Sequence, residues 1–361
     1  MEPEKCEYRE SILNLSEEDL ISFLVDKGIP KYRGRQIFTW IYRFGKTSFV
    51  DMTNIDKALR RKLDDWFYIH RLRIIGINKS KDGTIKFLLK LHDDNTIETV
   101  YIPEIRRNTI CVSSQVGCAV GCKFCNTGHH GFIRNLMTEE IIAQYLIVRD
   151  YLNTNPTQSE ESRRVSNIVF MGMGEPLLNH QNILKAVTNL MSDEETGISR
   201  RKITISTAGI TDILEEVAKE LPCRLAISLH APNDAIRSSI MPINNKYNIE
   251  SIIMACRKYS EHHGYLKITF EYLLLNGIND SNECASELLK LIRHLNAKVN
   301  LLQFNQWDGC SFMPSPPERV IKFAEILGRG GIEAPIRHRR GEDISAACGQ
   351  LRSQEIIVPS Y

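Results

Sequence analysis

The sequence lacks several features that define broad classes of protein. It has no apolar run near the ~20 residues that a membrane span needs, since runs such as Ile168–Met171 are short. It has no excess of one charge: 46 Lys and Arg stand against 44 Asp and Glu, so a basic coat over the whole protein is excluded. The segment Met1–Lys5 is polar and acidic, unlike a signal peptide. These absences predict a globular protein of the cytoplasm.

Cysteine, in contrast, is abundant: the chain has ten cysteines in 361 residues. In a reducing compartment such a number favours metal binding or catalysis over a framework of disulfides. Three of them, Cys118, Cys122 and Cys125, form a C-x3-C-x2-C motif in a glycine-rich loop that follows a predicted strand. The motif can bind zinc if His129 or His130 supplies a fourth ligand. The spacing favours a 4Fe–4S cluster, in which three thiolates leave one iron open.

The pattern of apolar residues predicts an α/β fold in four parts. Residues 1–70 read as a helical accessory domain, and 71–107 as a short antiparallel β extension. Basic and aromatic residues alternate in the first of these parts, between Lys31 and Arg43, and such a pattern suits binding to RNA. Residues 108–340 alternate strands with helices, and 341–361 form a C-terminal segment. Six strand–helix units predict a parallel sheet in the form of a partial (β/α)6 barrel. The predicted strands of this barrel are Thr109–Ser113, Asn167–Met171, Lys202–Ser206, Cys223–Leu229, Lys267–Leu274 and Lys298–Phe304.

Further motifs surround the three cysteines and carry a resemblance to a known family. Phe124 precedes the last cysteine of the motif, as in radical S-adenosylmethionine (SAM) enzymes. The motifs are Cys111–Cys118 (CVSSQVGC), Met171–Asn179 (MGMGEPLLN), Ser228–Asn233 (SLHAPN) and Ala347–Leu351 (ACGQL). Together they resemble the RlmN/Cfr group of radical SAM RNA adenosine methyltransferases over nearly the whole chain from about residue 30.

The resemblance implies a role for individual residues. Cys118, Cys122 and Cys125 hold the 4Fe–4S cluster. Cys348 is the residue that is methylated during the reaction, Cys111 is a second catalytic thiol, and Glu98 is a general base. The residues implied to contact SAM are Gly174, Glu175, Ser206, Ser228, Leu229, His230 and Asn305.

The resemblance also implies the reaction and its partners. The expected activity is methylation of C2 of adenosine, in the peptidyl-transferase centre of 23S ribosomal RNA and 3′ to the anticodon of transfer RNA, with two SAM molecules per turnover. The expected partners are 23S rRNA, tRNA and an electron donor such as a flavodoxin-type protein, with no membrane and a monomeric enzyme. Two alternatives stay open: methylation at C8, as in Cfr, and a non-catalytic iron–sulfur or zinc module that binds RNA.

Overall fold

The structure is a computed structural model that describes residues 9–105, 107–155, 164–191, 198–220 and 223–352. Its described residues form two compact units. One unit takes in the chain up to Leu72 together with Met137–Arg164 and Gln181–Ser199, and the other takes in the rest. The four-part division read from the sequence stays a prediction. Among the described residues, no helix combines the length and the apolar character needed to cross a membrane.

The first unit is mainly helical. Helix α1 begins at the capping box in which the Ser16 hydroxyl accepts from Asp19 N–H and the Asp19 carboxylate accepts from Ser16 N–H. The helices here are α1 (Glu17–Asp26), α2 (Tyr32–Phe38), α3 (Lys57–Trp66), α5 (Thr138–Thr154) and most of α6 (His180–Leu190). Two short strands, β1 (Glu10–Ser11) and β2 (Phe67–Tyr68), pair in parallel. Buried residues such as Leu20, Leu24 and Ile37 form its core.

The second unit is built on one sheet of nine strands. Six strands are parallel: β6 (Arg107–Cys111), β9 (Asn167–Phe170), β10 (Ile203–Thr207), β11 (Arg224–Ser228), β12 (Ile268–Leu274) and β13 (Ala297–Gln303). Three antiparallel strands continue the sheet beyond β6: β5 (Thr96–Glu104), β4 (Ile85–Lys90) and β3 (Arg73–Lys79). The order is β13-β12-β11-β10-β9-β6-β5-β4-β3, so β13 and β3 are its two edges.

This sheet confirms the predicted α/β class and its open, partial barrel. The strand bounds shift by one or two residues, because the ends of strands depend on pairing rather than on residue type. Strand β12 is buried along almost its whole length, as expected for a parallel strand covered on both faces. The predicted antiparallel extension proves to be part of the same sheet, because β5 pairs with the first parallel strand.

The other elements of the second unit are short strands and helices. Strands β7 (Gln115–Gly117) and β8 (Phe132–Asn135) form a hairpin beside the cysteine motif. The helices are α4 (Asn126–His129), α7 (Thr211–Glu220), α8 (Asp234–Ile240), α9 (Ile249–His263), α10 (Asn282–Ile292) and α11 (Pro317–Arg329). Chemistry in such folds takes place beyond the carboxyl ends of the parallel strands. We therefore expect the candidate site at the edge of the sheet where these strands end.

Candidate functional site

The carboxyl ends of the parallel strands gather most of the predicted residues. Cys111 ends β6, Ser228 ends β11, and Ser206 is the penultimate residue of β10. Gly174 and Glu175 follow β9, Leu229 and His230 follow β11, and Asn305 follows β13. The cysteine motif lies in the loop between β7 and α4. The sheet therefore brings to one edge residues that are far apart in the sequence. Glu98, in the antiparallel strand β5, approaches the site from a neighbouring part of the sheet.

The three motif cysteines lie together against an apolar cluster. Cys118, Cys122 and Cys125 are partly buried and pack on Phe124, Leu273 and their neighbours. Burial raises the pKa of Cys118 to about 12, and Cys125 adds to this by repulsion. Burial also raises the pKa of Cys122 well above its usual value, and both other cysteines contribute. Deprotonating all three therefore requires a positively charged partner, which bound iron would supply.

The loop also supplies hydrogen bonds to the sulfur atoms. Cys118 accepts from the backbone of Val120 and Gly121, and Cys125 from the backbone of Thr127 and Gly128. Such donors stabilise thiolates and tune a cluster. Three thiolates in one loop are the ligand set of a 4Fe–4S cluster that keeps one iron open, so the chemistry of this loop fits such a cluster.

His230 is buried against Phe124 and is neutral. Its ring meets the Phe124 ring edge-on, with 4.9 Å between their centroids. Its Nδ1 accepts from Leu273 N–H at 3.0 Å, so the neutral ring carries its proton on Nε2. Burial, aided by the Arg237 charge, lowers the pKa of His230 to about 3. His230 therefore offers a fixed neutral donor beside the cysteine loop.

The glycine-rich loop after β9 is held by the Glu175 carboxylate. One carboxylate oxygen accepts from Leu177 N–H at 3.0 Å and the other from Ala208 N–H at 2.7 Å. Burial raises the pKa of Glu175, and these bonds oppose the shift. The side chain thus joins the loop to the end of β10. A contact between this residue and SAM would use its backbone.

Asn305 provides a direct sign of a missing ligand. The residue is 6% exposed, and its Oδ1 is buried without a hydrogen-bond partner among the described residues. A buried acceptor without a partner costs about 1–3 kcal/mol, so a donor is expected there. The amino groups of SAM are donors of this kind. The position of Asn305 after β13, at the same edge as the cysteine loop, fits a SAM site.

Cys348 lies on a segment tied to the cysteine loop. Asn126 N–H donates to the Gly349 carbonyl at 2.7 Å, and the Thr127 hydroxyl donates to the Leu351 carbonyl at 2.6 Å. The Cys348 residue is exposed, but surrounding protein and the Glu271 charge raise the pKa of its thiol to about 11. Both Asn126 and Thr127 directly follow Cys125, so these bonds hold Cys348 beside the motif.

Cys111 is a buried thiol at the end of β6, and it forms no disulfide. Burial raises the pKa of Cys111, and repulsion from Cys348 is the next largest cause. Cys125 likewise raises the pKa of Cys348, after burial and the Glu271 charge. Cys348 therefore interacts electrostatically with one predicted catalytic thiol and with one predicted cluster ligand.

Glu98 is buried rather than solvent-facing. It is 1% exposed, and its Oε1 lies 2.8 Å from the ammonium nitrogen of Lys86. Its Oε2 accepts from Arg352 N–H at 2.7 Å. Burial raises the pKa of Glu98, and the Lys86 charge opposes that shift most strongly. A carboxylate in this setting can accept a proton near neutral pH, as a general base must.

Two family models match the chain in succession. The model of the ribosomal RNA large subunit methyltransferase N-terminal domain matches residues 11–69, and that of the radical SAM superfamily matches residues 112–291. The dual-specificity RNA methyltransferase RlmN of Rhodospirillum rubrum is 44% identical over 346 residues, which cover 96% of this chain and 81% of that protein. The chain belongs to the RlmN family of radical SAM RNA methyltransferases.

Further relatives agree with this membership of the RlmN family. The RlmN of Vesicomyosocius okutanii is 45% identical over 348 residues, or 95% of each chain. The crystal structure of a radical SAM methyltransferase from Sphaerobacter thermophilus matches with a TM-score of 0.88 and 41% identity. That match covers 96% of this chain and all of the other. The resemblance seen in the sequence motifs is thereby confirmed, and with it a radical SAM enzyme. Radical SAM enzymes use a 4Fe–4S cluster and SAM.

Sequence reasoning missed two residues of this RlmN-family site. The sequence pattern places Lys86 in the antiparallel β extension without indicating a role, and it indicates no role for Asn126. A signal for Lys86 was present, because a hairpin between the strands around 86 and 98 places a lysine and a glutamate on one face. No local signal shows that the Asn126 side chain bonds the Gln350 carbonyl, at 3.3 Å.

Gly174→Ala should destabilise the glycine-rich loop after β9 in this RlmN-family chain. Gly174 has φ +97°, and an added Cβ would lie 2.5 Å from Gln115 Cβ. The strained backbone alone costs about 1–3 kcal/mol, and the overlap must also be relieved. We expect a lower midpoint of thermal unfolding and weaker SAM binding by equilibrium dialysis. Gly277→Ala is the matched control, because Gly277 has φ +70° with no atom within 4 Å of an added Cβ. Equal losses in both variants would show that the close approach to Gln115 is unimportant.

Proposed function

We propose that this RlmN-family enzyme methylates C2 of adenosine in RNA through a methylated Cys348. The proposed targets are the peptidyl-transferase-centre adenosine of 23S rRNA and the adenosine 3′ to the anticodon of tRNA. The observation that carries the proposal is the docking of the segment that carries Cys348 onto the residues that follow Cys125, at the edge of the sheet where Cys111 ends β6. The relatives named dual-specificity RNA methyltransferase support two kinds of RNA substrate.

The chemistry of the target explains why two thiols are needed. C2 of adenine is an electron-poor carbon, so it does not attack the methyl group of SAM directly. When bound by Cys118, Cys122 and Cys125, a 4Fe–4S cluster would supply the electron that cleaves SAM to a 5′-deoxyadenosyl radical. The SAM contacts are proposed for Gly174, Glu175, Ser206, Ser228, Leu229, His230 and Asn305. The protein's part is to bind, orient and shield the reacting groups.

Cys348 carries the carbon that is transferred. Its sulfur first accepts a methyl group from one SAM and loses its proton. One hydrogen is then removed from that methyl group at the expense of a second SAM, and the remaining methylene carbon bonds to C2. Two SAM molecules would therefore be used per turnover. The RNA is now covalently attached to Cys348. Its exposure, unlike the burial of Cys111, suits a residue that must reach a macromolecular substrate.

Glu98 and Cys111 complete the reaction. The adduct formed at C2 gives up one electron, which the cluster would accept when bound, and Glu98 accepts the proton from C2. The Cys111 thiolate then attacks the Cys348 sulfur and the bond from that sulfur to the transferred carbon breaks. The released carbon takes up a proton to become the methyl group of the RNA, and a disulfide is left between the two cysteines. A transient disulfide of this kind is compatible with the cytoplasm, which we propose as the location, because a reductant restores both thiols. A flavodoxin-type protein is the proposed electron donor, and the monomer is the proposed state.

The carbon that is modified can be identified with labelled RNA. Iron–sulfur-reconstituted protein is incubated without oxygen with SAM, a reductant, and 23S rRNA or tRNA that carries deuterium at adenosine C2. Nucleoside mass spectrometry should show a methyladenosine that has lost the label. RNA labelled at C8 is the control and should keep its deuterium. Loss from C8 instead would make the enzyme a C8 methyltransferase, and no SAM cleavage at all would indicate a non-catalytic RNA-binding module.

A further inference from the structure

Lys86 is a buried cation outside the set of predicted residues. It lies on β4 and is 6% exposed, whereas lysine is almost never fully buried unless it is paired. Its ammonium nitrogen lies 2.8 Å from Glu98 Oε1 and donates to the Ser345 carbonyl at 3.2 Å. One side chain thus contacts both a side chain of the sheet and the backbone of the C-terminal segment.

The sheet itself brings Lys86 and Glu98 together. Lys86 pairs with Val100 across the two antiparallel strands, and Glu98 lies two residues before Val100 on β5. Residues in this diagonal relation share a face and are within reach of a long side chain. The ion pair is therefore a property of the β4–β5 hairpin, and the C-terminal segment docks on it.

The docked segment is hydrogen-bonded to this ion pair both before and after Cys348. Before the cysteine, the Ser345 carbonyl accepts from Lys86. After it, Arg352 N–H donates to Glu98 Oε2 at 2.7 Å. Ser345 has φ +51°, a left-handed conformation that is uncommon for serine and turns the chain toward the hairpin. Cys348 is thus carried on a short stretch of backbone with both ends attached to one buried pair of charges.

We propose that Lys86 is a positioning residue of the reaction, which keeps the Glu98 carboxylate ionised and fixes the backbone that carries Cys348. This inference rests on the proposed function, in which Glu98 removes the C2 proton and Cys348 carries the methyl group. In this proposal the Lys86 ammonium group aligns the Glu98 carboxylate with the segment that carries Cys348.

The charges around Glu98 set the direction of the expected effect. The charged groups that act on its carboxylate are Lys86 from β4 and Arg352 from the C-terminal segment, against the effect of burial. Burial raises the pKa of Glu98, and the Lys86 charge lowers it. Without that charge the pKa of Glu98 should rise further. An adjacent opposite charge typically changes a carboxyl pKa by about 1–3 units. Less of the base is then ionised at neutral pH, and proton removal requires a higher pH.

The test compares Lys86→Met with Lys86→Arg. In single-turnover reactions with RNA, the pH at which the covalent RNA adduct is half-maximally resolved should rise by about 1–3 pH units in Lys86→Met and return toward wild type in Lys86→Arg. Hydrogen exchange over residues 341–352, measured without RNA, should be faster in Lys86→Met. Lys90→Met is the control, because Lys90 lies on the same strand and pairs with the exposed Asp94. A wild-type pH midpoint together with wild-type exchange in Lys86→Met would overturn the inference.

Two more variants separate this inference from the proposed function. Glu98→Gln should leave the adduct unresolved at every pH, and normal resolution in that variant would refute the proposed base without affecting the exchange result for Lys86. The double variant Lys86→Met/Glu98→Gln removes both charges and avoids an unpaired buried ion, so it should fold even if Lys86→Met does not. Wild-type exchange of residues 341–352 in the double variant would show that the ion pair does not hold the segment.

Discussion

The Cys111→Ala variant should stop after it has formed one covalent adduct between Cys348 and the RNA. The proposed release of RNA requires a second thiol to attack the Cys348 sulfur, and Cys111 is the buried thiol whose charge interacts with Cys348. Alanine cannot attack, so the RNA stays bound to Cys348. Denaturing gel electrophoresis should show a protein–RNA adduct, and mass spectrometry of digested protein should place it on Cys348.

The controls for this trapping experiment come from the same chain. Cys223→Ala removes another buried thiol, which lies directly before β11, and should turn over normally. The double variant Cys111→Ala/Cys348→Ala should form no adduct, because the attachment point is missing. Multiple turnovers by Cys111→Ala, with methylated RNA released at the wild-type rate, would remove Cys111 from the mechanism.

Cys125→Ala should abolish iron binding and all turnover. Three thiolates are the minimum that holds a 4Fe–4S cluster with one open iron, and the Cys125 sulfur has the backbone donors of Thr127 and Gly128. With one ligand removed, anaerobic reconstitution should give protein without the visible absorbance of the cluster. Iron analysis, SAM cleavage and RNA methylation should all fall to background.

Cys310→Ala is the matched control for this loss. Cys310 packs against the same apolar cluster as the three motif cysteines but lies outside the motif. Its variant should keep iron, absorbance and activity. Stable iron and wild-type methylation in Cys125→Ala would show that the ligand assignment is wrong. Zinc in place of iron in the anaerobically purified wild-type protein would also contradict it.

Much of the fold follows from short-range patterns. Apolar strands such as Ile268–Leu274, alternating with amphipathic helices, predict parallel strands, because only a sheet covered on both faces buries such strands. The spacing of Cys118, Cys122 and Cys125 also predicts a shared site, since residues this close in one loop must lie near each other. The position of these residues at the carboxyl edge follows from the direction of parallel strands.

Glu98 shows where such patterns stop being sufficient. Strand alternation alone is compatible with a carboxylate that faces solvent, yet Glu98 is buried against Lys86 and Arg352. Its environment depends on the register of β4 with β5 and on the docking of a segment from the other end of the chain. The pairing with Lys86 is compatible with two adjacent predicted strands, but the contact with Arg352 leaves no trace in the sequence around Glu98.

The sequence by itself determined the cysteine motif, the α/β class and the family, because each of them depends on residues that are close together or regularly spaced. Only the tertiary structure decided that Asn126 and Thr127 hold the segment carrying Cys348, and that the buried Glu98 contacts both Lys86 and that segment. These contacts join distant parts of the chain. They form only when the sheet has set its register and the C-terminal segment has docked, and they control the burial and charge that govern the chemistry.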